Sequence, residues 1–308
     1  MPFFSIIIPL FNKEKFIKTT LKSVLNQTFI DFEILIIDDG STDNSAPIIK
    51  GFDDPRIRYY YKENAGVSSA RNDGIEKAEA NYISFIDADD YWYPDFLEEM
   101  YKVIQKYPEQ KVFSAAIEIE TSKKVIPASY SIVKTSDYEI VNYFTASSKE
   151  TVICTSCAVF HKNIFEEIGT FDIEVKSGQD TDMWIRIGMN YPVVFSWKIL
   201  ARYVYDENSL SKNKNYLNKK INFSKFEEQE KTNPSLKKFL DLNRFSLAIK
   251  SKLIADVENF NSYSKAIDVK NITIKKRILL LMPSVILKTL INLKLILANK
   301  GFGNSVFK

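Results

Sequence analysis

Residues 82–90 read YISFIDADD, an apolar run that ends on three aspartates. The run is rich in β-branched and aromatic residues, which is typical of a strand buried in a sheet. Asp87 and Asp89 therefore follow the predicted strand, and the small Ala88 between them lets both carboxylates face one ligand. Carboxylate oxygens suit Mg²⁺ or Mn²⁺, with diphosphate oxygens completing the coordination shell. Taken alone, the same residues also fit a solvated loop or a helix N-cap.

Three similar apolar runs precede this one, and helix-like segments separate them. The predicted strands are residues 4–8, 32–37, 57–61 and 82–86, and the predicted helices between them are residues 14–26, 45–52 and 67–80. This alternation predicts an α/β fold, with a mostly parallel sheet buried between helices. Ligands of such sheets bind beyond the carboxyl ends of the strands. The residues to inspect are 9–13, 38–41, 63–66 and 87–90.

The rest of the chain gives weaker signals. Helices are predicted over residues 94–107, 161–168 and 181–189, and strands over residues 112–120, 152–160 and 193–205. Residues 121–150 lack a clear period, and residues 208–233 are polar and rich in Lys and Asn. Helical patterns dominate beyond residue 233. We therefore predict a catalytic domain over residues 1–210 and a basic helical extension over residues 211–308.

Two of the strand ends carry residues suited to a nucleotide. In ILIIDDGS (residues 34–41) an aspartate can accept a hydrogen bond from a base or a ribose hydroxyl, and Gly40 allows a tight turn. A turn followed by a helix N-cap would have the same sequence. In NAGVSSARNDG (residues 64–74) Arg71 could pair with a diphosphate or a carboxylate through its guanidinium group. It could also be a structural arginine on a surface helix. The first strand is not followed by G-x-G-x-x-G, which disfavours a dinucleotide fold.

Charge is divided unequally along the chain. Residues 1–208 have a balance of −10 and residues 209–308 a balance of +13, although the whole chain has +3. A basic tail of this kind predicts an anionic partner. Its apolar content favours a membrane surface over nucleic acid. The opening FFSIIIPLF (residues 3–11) is short and lacks a basic lead-in, so we expect a cytoplasmic protein without a signal peptide.

The two cysteines, Cys154 and Cys157, form a single C-x-x-C pair. Two cysteines are too few for a disulfide framework, which favours a reducing compartment. A zinc site is disfavoured because the chain has no second pair and only one histidine, His161. We expect thiols buried in a strand.

Four motifs stand in order along the chain: IIIPLFN (residues 6–12), ILIIDDGSTDNS (34–45), NAGVSSARNDGI (64–75) and FIDADD (85–90). In that order and at those intervals they resemble family 2 glycosyltransferases. The resemblance continues through KNIFEEIGTFDIE (162–174) and SGQDTDMWIRI (177–187), and so covers about the first 205 residues. It implies a GT-A fold, with a Rossmann-like sheet flanked by helices. It also implies transfer of a sugar from a nucleotide sugar, usually with inversion.

The resemblance assigns roles to individual residues. Pro9, Phe11 and Asp39 would hold the nucleotide base, with Phe11 in place of the tyrosine often found there. Arg71 would help to place the nucleotide, and Asp87 would sit near the ribose and the metal. Asp89 would bind the metal ion, Mg²⁺ or Mn²⁺, that bridges the diphosphate.

Asp180 matches the catalytic base of the family, which takes a proton from the acceptor hydroxyl. Gln179 stands where a glutamate is common in the family. Asp180 could also be the N-cap of the predicted helix, a role compatible with catalysis. Asp182 is the alternative base.

Two absent sequence features favour transfer of a single sugar. The chain has no Gln-x-x-Arg-Trp string and no charge-free apolar span of about 20 residues, both expected of processive synthases of this family. A transferase using a UDP-sugar and a glycan or lipid-linked glycan acceptor is the leading interpretation. Transfer to a polyprenyl phosphate and a non-catalytic nucleotide-sugar-binding protein remain alternatives.

The basic tail contains KKRILLLMPSVILKTLINLKLILANK (residues 275–300). Ser284, Lys288 and Asn292 recur every four residues beside a wide apolar face. This pattern predicts an amphipathic helix over about residues 275–300, lying on an anionic membrane surface at the inner face of the cell membrane. The same face could instead pack on the catalytic domain or on a second subunit, so a homo-oligomer stays open.

Overall fold

The structure is a computed structural model that describes residues 1–121, 124–206 and 221–299. It divides into two compact units, Met1–Asn222 and Phe223–Lys308. The boundary predicted at residue 210 lies outside the described residues.

The first unit is built on one sheet of ten strands. The strands are β1 (Phe4–Leu10), β2 (Phe32–Asp38), β3 (Ile57–Tyr61), β4 (Tyr82–Phe85), β5 (Tyr91–Trp92), β6 (Val112–Glu120), β7 (Val125–Pro127), β8 (Tyr138–Val141), β9 (Ala158–His161) and β10 (Val193–Tyr203). The helices of this unit are α1 (Ile17–Leu25), α2 (Ser45–Lys50), α3 (Val67–Lys77), α4 (Phe96–Lys106), α5 (Tyr143–Ala146), α6 (Asn163–Glu167) and α7 (Gln179–Asn190).

The strand order explains where ligands can bind. It runs β3-β2-β1-β4-β9-β6-β10-β5, with β7 beside β6 and β8 beside β10. β1, β2, β3 and β4 pair in parallel, as predicted. β9 is antiparallel to both β4 and β6, while β10 is parallel to β6. The carboxyl ends of β1, β2, β4, β6 and β10 therefore all lie at one edge of the sheet. The predicted α/β fold, a sheet flanked by helices, is confirmed.

The core follows from the apolar runs. Every residue of β1 and β2 is buried, as expected of strands covered on both faces. α3 approaches β1 closely because Gly74 has no side chain: a Cβ atom there would lie 2.4 Å from Cγ2 of Ile7. This close packing fixes α3, and with it Arg71, over the sheet.

The strand predicted over residues 152–160 is wrong in its first half. Only Ala158–His161 is a strand, and it is preceded by a 3₁₀ turn at Thr155–Cys157. The turn is stabilised locally, since the N–H of Cys154 donates to Sγ of Cys157 at 3.3 Å. Cys154 thus precedes the turn and Cys157 is its last residue, so neither lies within the strand, and both thiols are free.

The second unit is helical, as predicted for the extension. After a 3₁₀ turn at Phe223–Phe226 come α8 (Glu227–Thr232), α9 (Pro234–Leu253), α10 (Val257–Ala266), a second turn at Val269–Asn271, α11 (Ile274–Leu281) and α12 (Ser284–Asn299). α9 begins at Pro234, and the side chain of Asn233 accepts the N–H of Leu236 at 3.0 Å. None of the helices within the described residues is long and apolar enough to cross a membrane.

The predicted continuous helix over residues 275–300 is divided in two. α11 ends at Leu281 and α12 begins at Ser284, with Met282 in an extended conformation between them (φ −67°, ψ 138°). The cause is Pro283, which has no N–H to donate and disfavours a helical conformation in the residue before it. Residue 300, the predicted end, lies outside the described residues.

Candidate active site

The predicted base-binding residues lie where two parallel strands end. Pro9 is buried within β1, and Phe11, just beyond the strand, keeps 46% of its surface exposed. Asp39 is buried immediately after β2. Its carboxylate accepts N–H groups from Ala65 at 2.9 Å and from Gly66 at 2.8 Å. Asp39 therefore fixes the loop that leads into α3, next to an exposed aromatic ring.

Asp38, rather than Asp39, has the turn role that the sequence left open. Its carboxylate accepts the N–H of Ser41 at 2.8 Å and the hydroxyl of Tyr59 at 2.6 Å. Neither aspartate caps α2, because the N-cap of that helix is Asn44.

Arg71 is the central cation of the site. Its side chain is only 2% exposed, so it is not a surface arginine. Nη1 lies 2.5 Å from Oδ1 of Asp180, and Nη2 lies 2.8 Å from Oδ1 of Asp87. The Phe171 ring packs 5.2 Å from the guanidinium carbon. Burial alone would lower the pKa of Arg71, but the carboxylates of Asp180 and Asp87 raise it above its usual value, so the guanidinium stays charged.

Asp180 lies in the first turn of α7 and does not cap it. The N-cap is Gly178, whose φ of 83° is in the left-handed region. The Asp180 side chain is 37% exposed and faces Arg71. Burial raises its pKa, the charge of Arg71 opposes this, and the charge of Asp87 adds to it. Asp180 is therefore a stronger base than an ordinary aspartate, and solvent can still reach it.

Asp182, the alternative base, is enclosed. Its side chain is fully buried and accepts the Nε–H of Arg186 at 3.0 Å. Arg186 in turn donates to the carbonyl oxygens of Ile168, Gly169 and Thr170. Asp182 thus anchors α7 to the segment after α6, which leaves no route for an acceptor hydroxyl to reach it.

Asp89 belongs to a second charged group at the same edge. Its Oδ2 lies 2.5 Å from Nζ of Lys13, and the same Nζ lies 2.6 Å from Oδ2 of Asp206. Burial raises the pKa of Asp89, and the charge of Asp87 adds to this while Lys13 opposes it. One ammonium group therefore serves two carboxylates.

Asp90, the last acid of the motif, has a structural role. It is buried and accepts the hydroxyl of Ser156 at 2.6 Å and the N–H of Val204 at 3.0 Å. The same Ser156 oxygen accepts the N–H of Asp87 at 3.1 Å. Ser156, in the turn at Thr155–Cys157, thereby holds the segment Asp87–Asp90 in place. Asp90 also links this segment to Val204, just beyond β10.

The donor set at Asp89 fits a hard divalent cation in its chemistry. Asp89 and Asp206 supply carboxylate oxygens to a single positive charge. No group of three or more His, Cys, Asp or Glu residues arranged to hold a metal ion occurs in the described part of the chain. A metal ion bound by Asp89 and Asp206 would need further ligands, and the diphosphate oxygens of the donor stay the predicted source of them.

Sequence reasoning missed Lys13 and Asp206. Lys13 lies within the strand end that was marked for inspection, but its residue type gave no reason to choose it. Asp206 follows β10. Asp206 follows a strand end, as Asp39 and Asp89 do, but the sequence does not show that β10 runs parallel to β6 and ends at the same edge.

The chain belongs to glycosyl transferase family 2. The family matches residues 5–169, more than half of the chain, and includes β1 to β4 with the acids that follow them.

Several curated relatives are glycosyltransferases. Glycosyltransferase GlyA of Streptococcus pneumoniae is 42% identical over 105 residues, which are 33% of this chain and 15% of that protein. An uncharacterized glycosyltransferase of Rickettsia typhi is 28% identical over 216 residues, or 65% of this chain and 63% of that protein. The matches thus span less than two thirds of the length of these relatives.

The fold is similar to that of TarS from S. aureus. The crystal structure of TarS residues 1–349 in complex with UDP-GlcNAc has a TM-score of 0.67 and covers 87% of this chain and 82% of that chain. The sequences are 20% identical, so this likeness establishes the fold alone.

Proposed function

We propose that this protein is an inverting, metal-dependent glycosyltransferase. It moves one sugar from a nucleotide sugar, with UDP as the nucleotide, to a hydroxyl group of a membrane-associated glycan. One observation carries the proposal: Arg71 holds Asp180 2.5 Å and Asp87 2.8 Å from its two terminal nitrogens, at the sheet edge where Asp39 also lies.

The donor side is formed by the ends of β1, β2 and β4. The exposed ring of Phe11 offers a stacking surface for a uracil, and Pro9 and Asp39 shape the floor beside it. Asp87, held by Arg71, accepts ribose hydroxyl groups with the carboxylate capacity that Arg71 leaves free. Arg71 itself is too deeply buried to meet a diphosphate directly, so it places the nucleotide through Asp87.

Asp180 is the base. Its carboxylate accepts the proton of the acceptor hydroxyl while the hydroxyl oxygen attacks the anomeric carbon of the donor sugar. The bond from that carbon to the diphosphate breaks on the opposite face, so the configuration inverts and UDP departs. The raised pKa of Asp180 strengthens it for this task, and its partial exposure lets the acceptor approach.

Asp89 would hold a Mg²⁺ or Mn²⁺ ion together with the oxygens of the diphosphate. Such an ion supplies a Lewis acid that neutralises the charge left on the departing diphosphate.

UDP-GlcNAc is the donor to test first, because the TarS crystals of similar fold contain it. Transfer to a polyprenyl phosphate is a closer alternative than a purely binding function, and it requires an acceptor that carries no sugar.

The second unit would place the enzyme on the inner face of the cell membrane. α11 and α12 carry large apolar side chains that are exposed, including Ile274, Leu281 and Val285 at 72%, 86% and 73%. Lys275, Lys276 and Arg277 stand beside them, and no acidic residue follows Asp268. Apolar side chains flanked by basic ones are the arrangement that binds anionic lipid surfaces.

The first prediction concerns Asp180→Asn. Removing the base should lower the rate of sugar transfer by about 10²- to 10⁴-fold, whereas UDP should bind with nearly unchanged affinity. Release of UDP from UDP-GlcNAc, with and without a membrane glycan fraction, measures transfer and hydrolysis. Calorimetry measures UDP binding.

Glu174→Gln is the matched control, because Glu174 is an exposed acid of the same region. It should transfer sugar at the wild-type rate. Full activity of Asp180→Asn would remove Asp180 as the base. Binding of UDP-GlcNAc by the wild type without transfer or hydrolysis, in the presence of metal, would instead support the non-catalytic alternative.

A further inference from the structure

The ammonium group of Lys13 lies between two carboxylates from distant parts of the chain. Nζ is 2.5 Å from Asp89 and 2.6 Å from Asp206, which are 76 and 193 residues away in sequence. The three side chains retain only 22%, 16% and 8% of their accessible surface. The position between these carboxylates is where the donor set favours a divalent ion, and it holds a cation of this chain instead.

The backbone of Lys13 is fixed, while its side chain is long and flexible. The N–H of Lys13 donates to Oγ of Ser45 at 2.9 Å, and its carbonyl oxygen accepts the N–H groups of Phe16 and Ile17, both at 2.9 Å. A lysine side chain has four methylene groups that can rotate, and its ammonium is a compact point charge without a fixed hydrogen-bonding plane. The Lys13 ammonium can therefore leave the two carboxylates without a change in the fold.

The charges around the sheet edge favour replacement of a single positive charge by a double one. Among the described residues, two cations, Arg71 and Lys13, contact four carboxylates, those of Asp87, Asp89, Asp180 and Asp206. Arg71 contacts Asp87 and Asp180, and the single charge of Lys13 is shared between Asp89 and Asp206. An arriving diphosphate adds further negative charge, which one ammonium group cannot balance.

We propose that Lys13 is an internal counter-cation of the metal site: it holds Asp89 and Asp206 in the donor-free protein, and the divalent ion binds by displacing it. This inference rests on the proposed function. Lys13 is then a positioning residue that sets the metal concentration at which the site fills, and Asp206 is a second carboxylate of the metal site. Metal and nucleotide together can displace the ammonium more readily than metal alone.

The test is the affinity for Mn²⁺, measured on the full chain by the electron paramagnetic resonance signal of free Mn²⁺. In the absence of nucleotide, Lys13→Met should bind Mn²⁺ at least about tenfold more tightly than the wild type, since no ammonium competes. Lys13→Arg, which keeps the charge, should not gain affinity. Lys15→Met removes an exposed lysine two residues away and is the matched control, with wild-type affinity expected.

Asp206→Asn tests the second carboxylate. In the Lys13→Met background it should weaken Mn²⁺ binding by about tenfold, because one of the two anionic ligand groups is lost. Thermal unfolding confirms that each variant is folded, and Lys13→Gln replaces Lys13→Met if the latter is not.

Unchanged or weaker Mn²⁺ binding by both Lys13→Met and Lys13→Gln would overturn the inference, as would the absence of Mn²⁺ binding in every variant. Hydrolysis of UDP-GlcNAc by the wild type in EDTA separates this failure from that of the proposed function. If hydrolysis persists without metal, the transferase stands and Lys13 is not a competitor of a metal ion. If UDP-GlcNAc is neither bound nor hydrolysed, the transferase proposal fails, while the Mn²⁺ affinities still report on Lys13.

Discussion

At the scale of single residues, Asp90 is the most enclosed acid of the motif after β4. Burial raises its pKa well above the usual value, and the charges of Asp87 and Asp89 add to this. A carboxyl group whose pKa is higher in the folded than in the unfolded protein contributes its full stability below the unfolded pKa of about 3.9. That contribution is lost as the pH rises through the folded pKa. Asp90 therefore destabilises the protein at neutral pH, although its hydrogen bonds position the site.

The substitution Asp90→Asn separates these two effects. Asparagine removes the charge and keeps an oxygen that can accept the N–H of Val204. At each pH we compare the free energy of unfolding of the variant with that of the wild type. We expect the variant's gain over the wild type to be larger at pH 8 than at pH 4.5, by about 1 kcal/mol or more. Urea unfolding at the two pH values measures the difference.

Asp31→Asn, at an exposed aspartate before β2, is the control and should show no such dependence. An equal change at both pH values for Asp90→Asn would mean that its hydrogen bonds, and not its charge, determine the effect.

At the scale of secondary structure, the sequence predicts the parallel half of the sheet well. The apolar runs alternate with helical segments, and this order places Asp39, Asp87 and Asp89 at the carboxyl ends of parallel strands. Apolar periodicity does not encode that β9 runs antiparallel between β4 and β6. For that reason the sequence could not place the end of β10, or the Lys13–Asp206 pair, at the same edge.

Two further differences between the predicted and the observed secondary structure have local causes. A run of apolar and small residues predicted a strand up to residue 160, but the thiol of Cys157 stabilises a turn there instead. In the tail, the apolar pattern continues through Pro283, whereas the backbone cannot remain helical before a proline. In both places a single residue outweighs the pattern around it.

Gly74→Ala tests the packing of α3 on β1. Alanine favours a helix over glycine by about 1 kcal/mol, but the added Cβ would lie 2.4 Å from Ile7. Overpacking of a rigid core costs about 1–3 kcal/mol, so after this gain we expect net destabilisation of up to about 2 kcal/mol in urea unfolding.

Combining Gly74→Ala with Ile7→Ala removes the methyl group that would clash. In the Ile7→Ala background, Gly74→Ala should therefore be neutral or stabilising. Stabilisation by Gly74→Ala in the wild-type background would show that α3 moves off the sheet without penalty.

At the scale of the whole molecule, net positive charge and exposed apolar side chains occur together in the second part of the chain. Residues 209–308 carry the balance of +13, and α11 and α12 carry Ile278 and Leu281 exposed at 54% and 86%. The sequence predicted the positive balance, which depends on composition alone, and the apolar face of the tail. It left open whether that face is exposed, because exposure depends on how the chain packs at long range.

Vesicle binding distinguishes the contribution of the positive charge to membrane attachment from that of the exposed apolar side chains. The protein should sediment with vesicles of phosphatidylcholine and phosphatidylglycerol but not of phosphatidylcholine alone, and binding should fall as salt rises from about 50 to 500 mM. Replacing Ile278 and Leu281 by serine should reduce binding at low salt as well.

Ile30→Ser is the control for that change, because Ile30 is exposed at 75% but belongs to the first unit. Binding that is independent of anionic lipid, or unaffected by the serine variant, would contradict attachment through α11 and α12.

Two ion pairs of the site, Arg71–Asp180 and Lys13–Asp206, also determine when the site can form during synthesis of the chain. Asp180, a partner of Arg71, lies 109 residues later in the chain, and Asp206, a partner of Lys13, lies 193 residues later. A ribosome that has released only the family-matched segment, up to residue 169, has produced β1 to β4 and their acids but neither Asp180 nor Asp206. Contacts of such long sequence separation also slow folding, because the chain loses entropy in closing long loops. Under the proposed mechanism, such an incomplete polypeptide has the strand ends that would bind the nucleotide but lacks the base, so activity would begin only once β10 has joined the sheet.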